Sequence, residues 1–332
     1  MELEILRHMD SARQTSWLEL LRSSGLTPDA QIDQTVLLWD GPILAAAGSR
    51  KGNLLKCIAV SRSYQGDGLT ATILTALRQE ALQDGYTHLF LYTKPENQLL
   101  FSSLFFYPVA GTKQVLLMES KRNGLKQFLS SLSSPSVHGD RIGALVMNCD
   151  PFTLGHRCLI ETAAGECDHV YVFVLSEDRG YFSAEDRLQM VKLGTSDLKN
   201  VTVFPSGPYL ISSATFPTYF LKDRDSADQI HCHLDIEIFV KHFVPHFRIT
   251  HRYVGSEPFS ALTAGYNKML AEILPAHGLE MIELPRLCSD GLPISASTVR
   301  KLLQQNNIEA IRRFVPLSTL SYIITAGGSQ YG

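Results

Sequence analysis

Two short stretches hold the residues whose types and spacing could do chemistry. The first, "NCDPFTLGHRCLIETAA" at 148–164, follows the apolar run "IGALVM" and brings Thr153, Gly155 and His156 close together. A hydroxyl and an imidazole at the start of a helix add two side-chain donors to the unpaired N–H groups and positive dipole found there. Gly155 lets backbone come close to a ligand. Donors placed in advance suit a reaction that builds negative charge on a phosphorus centre. By itself the stretch reads equally well as a Thr153 cap with His156 solvated in the first turn. The second stretch, "PISASTVRKLL" at 293–303, sets Ser295, Ser297 and Thr298 ahead of Arg300 and Lys301. Hydroxyls, open amides and two cations at one helix start suit a polyphosphate tail, although a capped surface helix also accounts for them.

Regular elements must carry these residues. "IGALVM" and "HVYVFVL" are unbroken apolar runs of strand length, as in strands buried on both faces, and "HRCLIETAAGE" between them has the length of a crossover helix. "SAEDRLQMVKLG" reads as a helix with Ser183 as N-cap and Gly194 as stop, and "VTVFPS", "ITHRYVG" and "MIELPR" as further strands. That alternation predicts a doubly wound parallel sheet that meets its ligand at the carboxyl ends of the strands. Both chemical stretches then fall at helix N-termini, and no Gly-x-Gly-x-x-Gly or Gly-Lys-Ser/Thr competes with them.

Upstream, "SWLELLRSSGL" reads as a helix and "TVLLWDG", "PILAAAG" and "LLKCIAV" as strands. The helix "LTATILTALRQEALQDG", the strand "HLFLYT", the helix "ENQLLFSSLFF" and the strand "KQVLLME" follow. Leading strands followed by alternation predict a mixed-sheet α/β domain. "KRNGLKQFLSSLSSPSVHGD" begins as a short basic helix and dissolves into Ser, Pro and Gly. It divides the chain into a domain at 1–120, a linker at 121–140 and a domain at 141–332.

A charged content of 19% and a net charge of −3 leave no global footprint for nucleic acid or an anionic membrane. No apolar run approaches the roughly 20 residues of a membrane helix, and the N-terminus lacks the apolar segment of a signal peptide. Cys57, Cys149, Cys158, Cys167, Cys232 and Cys288 are scattered without a Cys-x-x-Cys pair. Reduced thiols in a cytoplasmic protein are the expectation. "HCH" at 231–233 lacks the second ligand pair a zinc site needs, so no metal ligands are assigned.

"TLGH" at 153–156 and "ISASTVR" at 294–300 together resemble the nucleotidyltransferase superfamily, whose signatures are (His/Thr)-x-Gly-His and Ile-Ser-x-x-Thr-x-(Arg/Lys). The resemblance implies that Thr153 and His156 stabilise an α-phosphoryl transition state. It implies too that Ser297, Thr298 and Arg300, with Lys301, take the β- and γ-phosphates of ATP. "SEDRGYFSAEDRL", "YLISSATFPTYFLKD" and "VGSEPFSALTAGYNKML", in order with those two stretches, resemble the citrate lyase ligase family over nearly the whole chain. That family uses ATP to acetylate the thiol of a phosphoribosyl dephospho-coenzyme A group on the acyl-carrier subunit of citrate lyase. AMP and pyrophosphate are released and the lyase becomes active.

Acetate must then attack the α-phosphorus to give acetyl adenylate, so cations and Mg²⁺ must offset the repulsion of two anions. Arg187 and Lys222 are candidate cations, with a surface helix charge and a salt bridge between domains as their plain alternatives. Asn148, Pro151, Phe152 and Gly155 join the expected ATP contacts. Gly255 and Ser256, past a strand's carboxyl end, are the expected nucleoside contacts. Phe216, Tyr219 and Phe220, with Lys222, offer an acetate pocket, although core packing explains the aromatics as well. Cys149 and Cys158 flank the first stretch, but neither has a base beside it in sequence, and the attacking thiol belongs to the prosthetic group.

"LLKCIAVSRSYQGDGLTATILTAL" and "LFLYTKPENQLLFSSLFFYPVA" resemble the GNAT acetyltransferase fold, whose (Gln/Arg)-x-x-Gly-x-(Gly/Ala) loop binds coenzyme A pyrophosphate. Gly66 and Gly68 match, while Ser63 stands in place of Gln or Arg and Asp67 adds negative charge. Docking of the dephospho-coenzyme A arm fits these residues better than acetyltransfer, and a structural remnant is the alternative. Two other classes stay open for the whole chain: a pantetheine-phosphate-type adenylyltransferase, and a noncatalytic coenzyme-binding regulator of the lyase.

Overall fold

The structure, a computed structural model, describes the chain except residues 30, 134–136, 178–179, 211–216, 218, 222–226, 258–259, 290–291 and 331–332. At 261–262, 289, 292–293 and 326–330 it describes the backbone alone. Two compact units emerge. Unit 1 is Met1–Gln127 with Thr215–Glu237, and unit 2 is Phe128–Ala214 with Ile238–Gly332. A linear division at 121–140 does not contain the second segment of unit 1.

In unit 1, β1 (Glu2–Leu6), α1 (Ser11–Ser23), β2 (Gln34–Asp40), β3 (Ile43–Lys51) and β4 (Leu54–Val60) are followed by α2 (Leu69–Gln83), β5 (Phe90–Thr93), α3 (Gln98–Ser103), β6 (Tyr107–Gly111) and β7 (Leu116–Glu119). They form a seven-stranded mixed sheet ordered β1-β2-β3-β4-β5-β7-β6. The sequence pattern missed β1 and β6. β1 is half-exposed "ELEIL" and β6 carries Pro108, and both lie at sheet edges, where burial does not enforce a pattern.

The parallel pair β4–β5 is joined at Leu54↔Phe90 and Leu55↔Leu91. Beyond that point Cys57 takes φ +53° and the register against β3 shifts between Ala47 and Ser49, a bulge that bends β4. Ile58–Val60 and Leu91–Thr93 then border a cavity of about 670 Å³, with Gly66 and Gly68 at the start of α2 on its wall.

α4 (Gly124–Ser131) leads to unit 2: β8 (Ile142–Met147), α5 (Leu154–Glu166), β9 (His169–Val174), α6 (Ala184–Gly194), β10 (Val201–Pro205), then, after α7 (Ala227–Ile238), which belongs to unit 1 but for its last residue, α8 (Val244–Phe247), β11 (His251–Gly255), α9 (Ala261–Ile273) and β12 (Glu280–Leu284). α10 (Ala296–Gln304), α11 (Ile308–Ile311) and α12 (Leu317–Gln330) complete the described helices. The sheet is parallel throughout, ordered β10-β9-β8-β11-β12, so the order reverses at β8 and the chemical stretch after β8 sits at that switch point. Its core takes Ile160 from α5, Val172 from β9, Met190 from α6 and Val299 and Leu303 from α10. Both chemical helices are therefore fixed by apolar packing on their far sides. No helix among the described residues is long and apolar enough to cross a membrane.

Candidate active site

After Met147 the chain must turn from a buried strand into α5. Asn148 reaches the surface, and Cys149 adopts φ +54°, a left-handed conformation that is uncommon and costly without glycine. The Asp150–Pro151 peptide is cis. Asp150, 5% exposed, holds the turn: its carboxylate accepts the N–H groups of Tyr181 and Phe182, each at 2.9 Å. Arg300 of α10 pairs with the same carboxylate at 3.5 Å and also donates to the Asp150 carbonyl. The two chemical stretches are thus joined directly across 150 residues of sequence.

Thr153 is the N-cap of α5, and its Oγ accepts the His156 N–H at 3.3 Å. In return the Thr153 N–H donates to His156 Nδ1 at 3.1 Å, closing a capping box with histidine in the usual place of glutamate. An Nδ1 that accepts a backbone N–H carries a lone pair, so the neutral ring holds its proton on Nε2. Burial, with a smaller contribution from the positive charge of Arg286, lowers the His156 pKa to about 4. At neutral pH His156 is therefore a neutral Nε2–H donor at a helix N-terminus. It both caps the helix and presents a donor.

A cavity of about 670 Å³ opens here, lined by Asn148, Thr153, Gly155, His156, Gly255, Ser256, Ser297 and Arg300 among others. A Cβ at Gly155 would stand 3.5 Å from the Ile294 carbonyl, so α5 and the approach to α10 lie almost backbone to backbone. Ser295 caps α10, accepting the Ser297 N–H at 3.2 Å, and the two hydroxyls meet at 2.7 Å.

Several expected contacts fall elsewhere. Thr298 and Lys301 are not among the cavity's lining residues, because the helical period turns them from the face that carries Ser297 and Arg300. Pro151 and Phe152 are buried in the turn, and Phe152 packs against Gly194 of α6 and stacks on His156 with ring centroids 6.0 Å apart. Arg187 is fully buried: Nη1 donates to the carbonyl and Oδ1 of Asn148 at 2.9 and 2.6 Å, Nε donates to the Phe182 carbonyl, and Nη2 to that of Glu177. Its place on the inner face of α6 makes it a strut, with no surface left for ATP. Tyr219 and Phe220 lie in unit 1, where both line the β4–β5 cavity and the Tyr219 hydroxyl donates to the Tyr92 carbonyl at 2.8 Å. Phe216 and Lys222 lie outside the described residues.

The cavity also holds residues the sequence did not single out. Arg286 follows β12, donates to the Ser256 carbonyl at 3.1 Å and pairs with Glu257. Asn267 of α9 bridges the Gly255 carbonyl and Glu283, each at 3.0 Å, and so braces the turn after β11. Applying the rule of strand carboxyl ends to β12 as well as to β11 would have found Arg286. Cys158 lines the cavity, whereas Cys149 is buried and its thiol pKa is pushed up by burial.

A switch-point turn, a donor histidine at a helix N-terminus and a second capped helix tied to it are an arrangement able to receive phosphate groups. Residues 142–323 match the family model for the citrate lyase ligase C-terminal domain, and residues 8–100 match that for the acetyltransferase (GNAT) family. The [citrate [pro-3S]-lyase] ligase of Klebsiella pneumoniae is 39% identical over 97% of this chain and 96% of its own length; that of Escherichia coli K12 is 37% identical over 96% and 92%. A phosphopantetheine adenylyltransferase of Streptococcus agalactiae is 30% identical over 52% of this chain and 88% of its own. Among solved structures, Escherichia coli ElaA matches 36% of this chain and 99% of its own at 14% identity and a TM-score of 0.33. The chain belongs to the citrate lyase ligase family, with a GNAT-like N-terminal unit and a nucleotidyltransferase-like C-terminal unit, and is accordingly a ligase.

Proposed function

We propose that this chain acetylates the thiol of a phosphoribosyl dephospho-coenzyme A group carried by a citrate lyase acyl-carrier subunit, using ATP. The observation that carries the reading is the direct tie between the two chemical stretches, Arg300 on Asp150, which sets both on one cavity. A carboxylate oxygen of acetate forms a bond to the α-phosphorus as the bond to the β-phosphate oxygen breaks, giving acetyl adenylate and pyrophosphate. The carrier thiol then attacks the acetyl carbon and forms the carbon–sulfur bond. AMP leaves, and the thiol proton passes to solvent.

In this reading the neutral His156 Nε2–H and the Gly155 N–H donate to the α-phosphoryl oxygens as charge builds on them, the neighbouring N–H groups of Leu154 and His156 being taken by the Phe314 carbonyl and Thr153 Oγ. Ser297 and Arg300, at the start of α10, take the β- and γ-phosphates. Gly255 and Ser256 flank the nucleoside. Among the described residues no group of three or more His, Cys, Asp or Glu side chains comes together as a metal cage, and Asp150 spends its carboxylate on Tyr181, Phe182 and Arg300. In this reading the ion enters with the triphosphate, as its counter-ion. Gly66, Gly68 and the β4–β5 cavity of unit 1 would take the coenzyme-like arm.

Purified protein incubated with deacetylated lyase, omitting ATP, Mg²⁺ and acetate in turn, tests the reading. Loss of lyase activation and of pyrophosphate release on each omission is the expected result; release indifferent to acetate would sink it. The likeness to phosphopantetheine adenylyltransferase favours a second reading, transfer of AMP to a pantetheine phosphate. A lasting adenylylated product in the mass spectrum would select it. A noncatalytic regulator would activate the lyase undiminished after His156→Ala.

A further inference from the structure

We infer that Arg187 is a positioning residue that turns the Asn148 carboxamide so that its NH₂ group donates to an oxyanion in the cavity; this rests on the ligase reading for the identity of that oxyanion. Arg187 donates only to neutral oxygens among the described residues: the carbonyls of Asn148, Glu177 and Phe182 and the side-chain Oδ1 of Asn148. A guanidinium carries donors only, so the Asn148 atom that it meets at 2.6 Å must be the oxygen. Asn148 is exposed and lines the cavity, and with Oδ1 on Arg187 the Nδ2 end is the one left for a ligand.

The charge matters as well as the geometry. Arg187 is fully buried and meets no carboxylate among those contacts, so its positive charge stands behind the amide and aligns the amide dipole toward the cavity. A donor held rigidly from behind in this way loses little to reorganisation when an anion binds. Two anions are to meet beside it, the carboxylate of the acid and the α-phosphoryl group. Both offer the same chemistry to an N–H donor. Arg187 holds no ligand itself and acts through Asn148.

Asn148→Asp decides between function and scaffold. Either carboxylate oxygen still accepts from Arg187, so the variant should fold with a urea midpoint no lower than that of the parent, but it presents an oxygen where the NH₂ group stood. ATP affinity by titration calorimetry and the KM for acetate in pyrophosphate release are then measured. The dissociation constant for ATP weakens about tenfold or more if the oxyanion is phosphoryl, and the KM for acetate rises as much if it is the carboxylate. Arg187→Lys weakens the same constant as Asn148→Ala, and the double variant is no worse than the poorer single one, because the two act in series. Both constants staying within about twofold in Asn148→Asp, or effects of Arg187 and Asn148 that simply multiply, would overturn the inference. If the parent binds ATP but shows no acetate-dependent pyrophosphate release, the ligase reading fails, and the ATP titration alone decides this one. Should Arg187→Lys not fold, Asn148→Asp and Asn148→Ala carry the test.

Discussion

At the scale of the residue, His156 does two things, of which the sequence suggested only the donor. It closes the capping box of α5 through Nδ1, and that bond fixes the tautomer that makes Nε2 a donor. His156→Ala should lower kcat for pyrophosphate release about 10²- to 10³-fold with a smaller change in ATP affinity, as for other preorganised donors to a developing oxyanion. Initial rates and calorimetry separate the two effects. The ring also links stability to pH. Its folded pKa, about 4, lies below the ordinary 6.5, so between those values the unfolded chain binds the proton more tightly. This contribution to stability is fully present above pH 6.5 and is lost as pH falls through about 4. In His156→Gln the urea midpoint should change less between pH 7 and pH 5 than in the parent; an equal slope would remove His156 from that balance.

At the scale of the element, the site depends on how α5, α6 and α10 meet. Gly194 ends α6 where a Cβ would fall on the Phe152 ring, which is fully buried and has no room to retreat. Gly194→Ala should cost about 1–3 kcal/mol of stability by urea unfolding, in line with other overpacked cores. Asp150 ties three segments with one carboxylate. Asp150→Ala leaves the N–H groups of Tyr181 and Phe182 without their acceptor and should cost about 2–4 kcal/mol by the same measurement. These helices were legible from caps and period: Ser183 and Gly194 mark boundaries that the structure keeps. The direction of the Arg187 side chain was not legible, because an amphipathic pattern does not say that one cation is turned inward onto carbonyl oxygens.

At the scale of the molecule, two units each carry a cavity of about 670 Å³, one at the switch point of a parallel sheet and one where β4 leaves β5. If unit 2 forms the adenylate and unit 1 takes the coenzyme-like arm, the two half-reactions separate by mutation. Ala71→Trp, which fills the unit 1 cavity, should lower acetyl transfer to the carrier about tenfold or more. Acetate-dependent exchange between ATP and pyrophosphate should stay within about twofold of the parent. Equal loss of both would show that the cavities do not divide the work. The second segment of unit 1, Thr215–Glu237, explains why Tyr219 is found in that cavity.

The parallel sheet of unit 2, the placing of both chemical stretches at helix starts and the resemblance to the family were all legible in the sequence. Apolar strand runs, caps and short motifs are local, and local chemistry is written in order along the chain. Only the tertiary structure decided which members of those stretches share a cavity. It joined Asp150 to Arg300, turned Thr298 and Lys301 away, buried Arg187 behind Asn148, added Arg286 and carried Tyr219 into unit 1. Those outcomes depend on which way a side chain leaves its helix and on where a distant segment packs. Both are settled by burial and hydrogen bonding across the fold, which no spacing along the chain records.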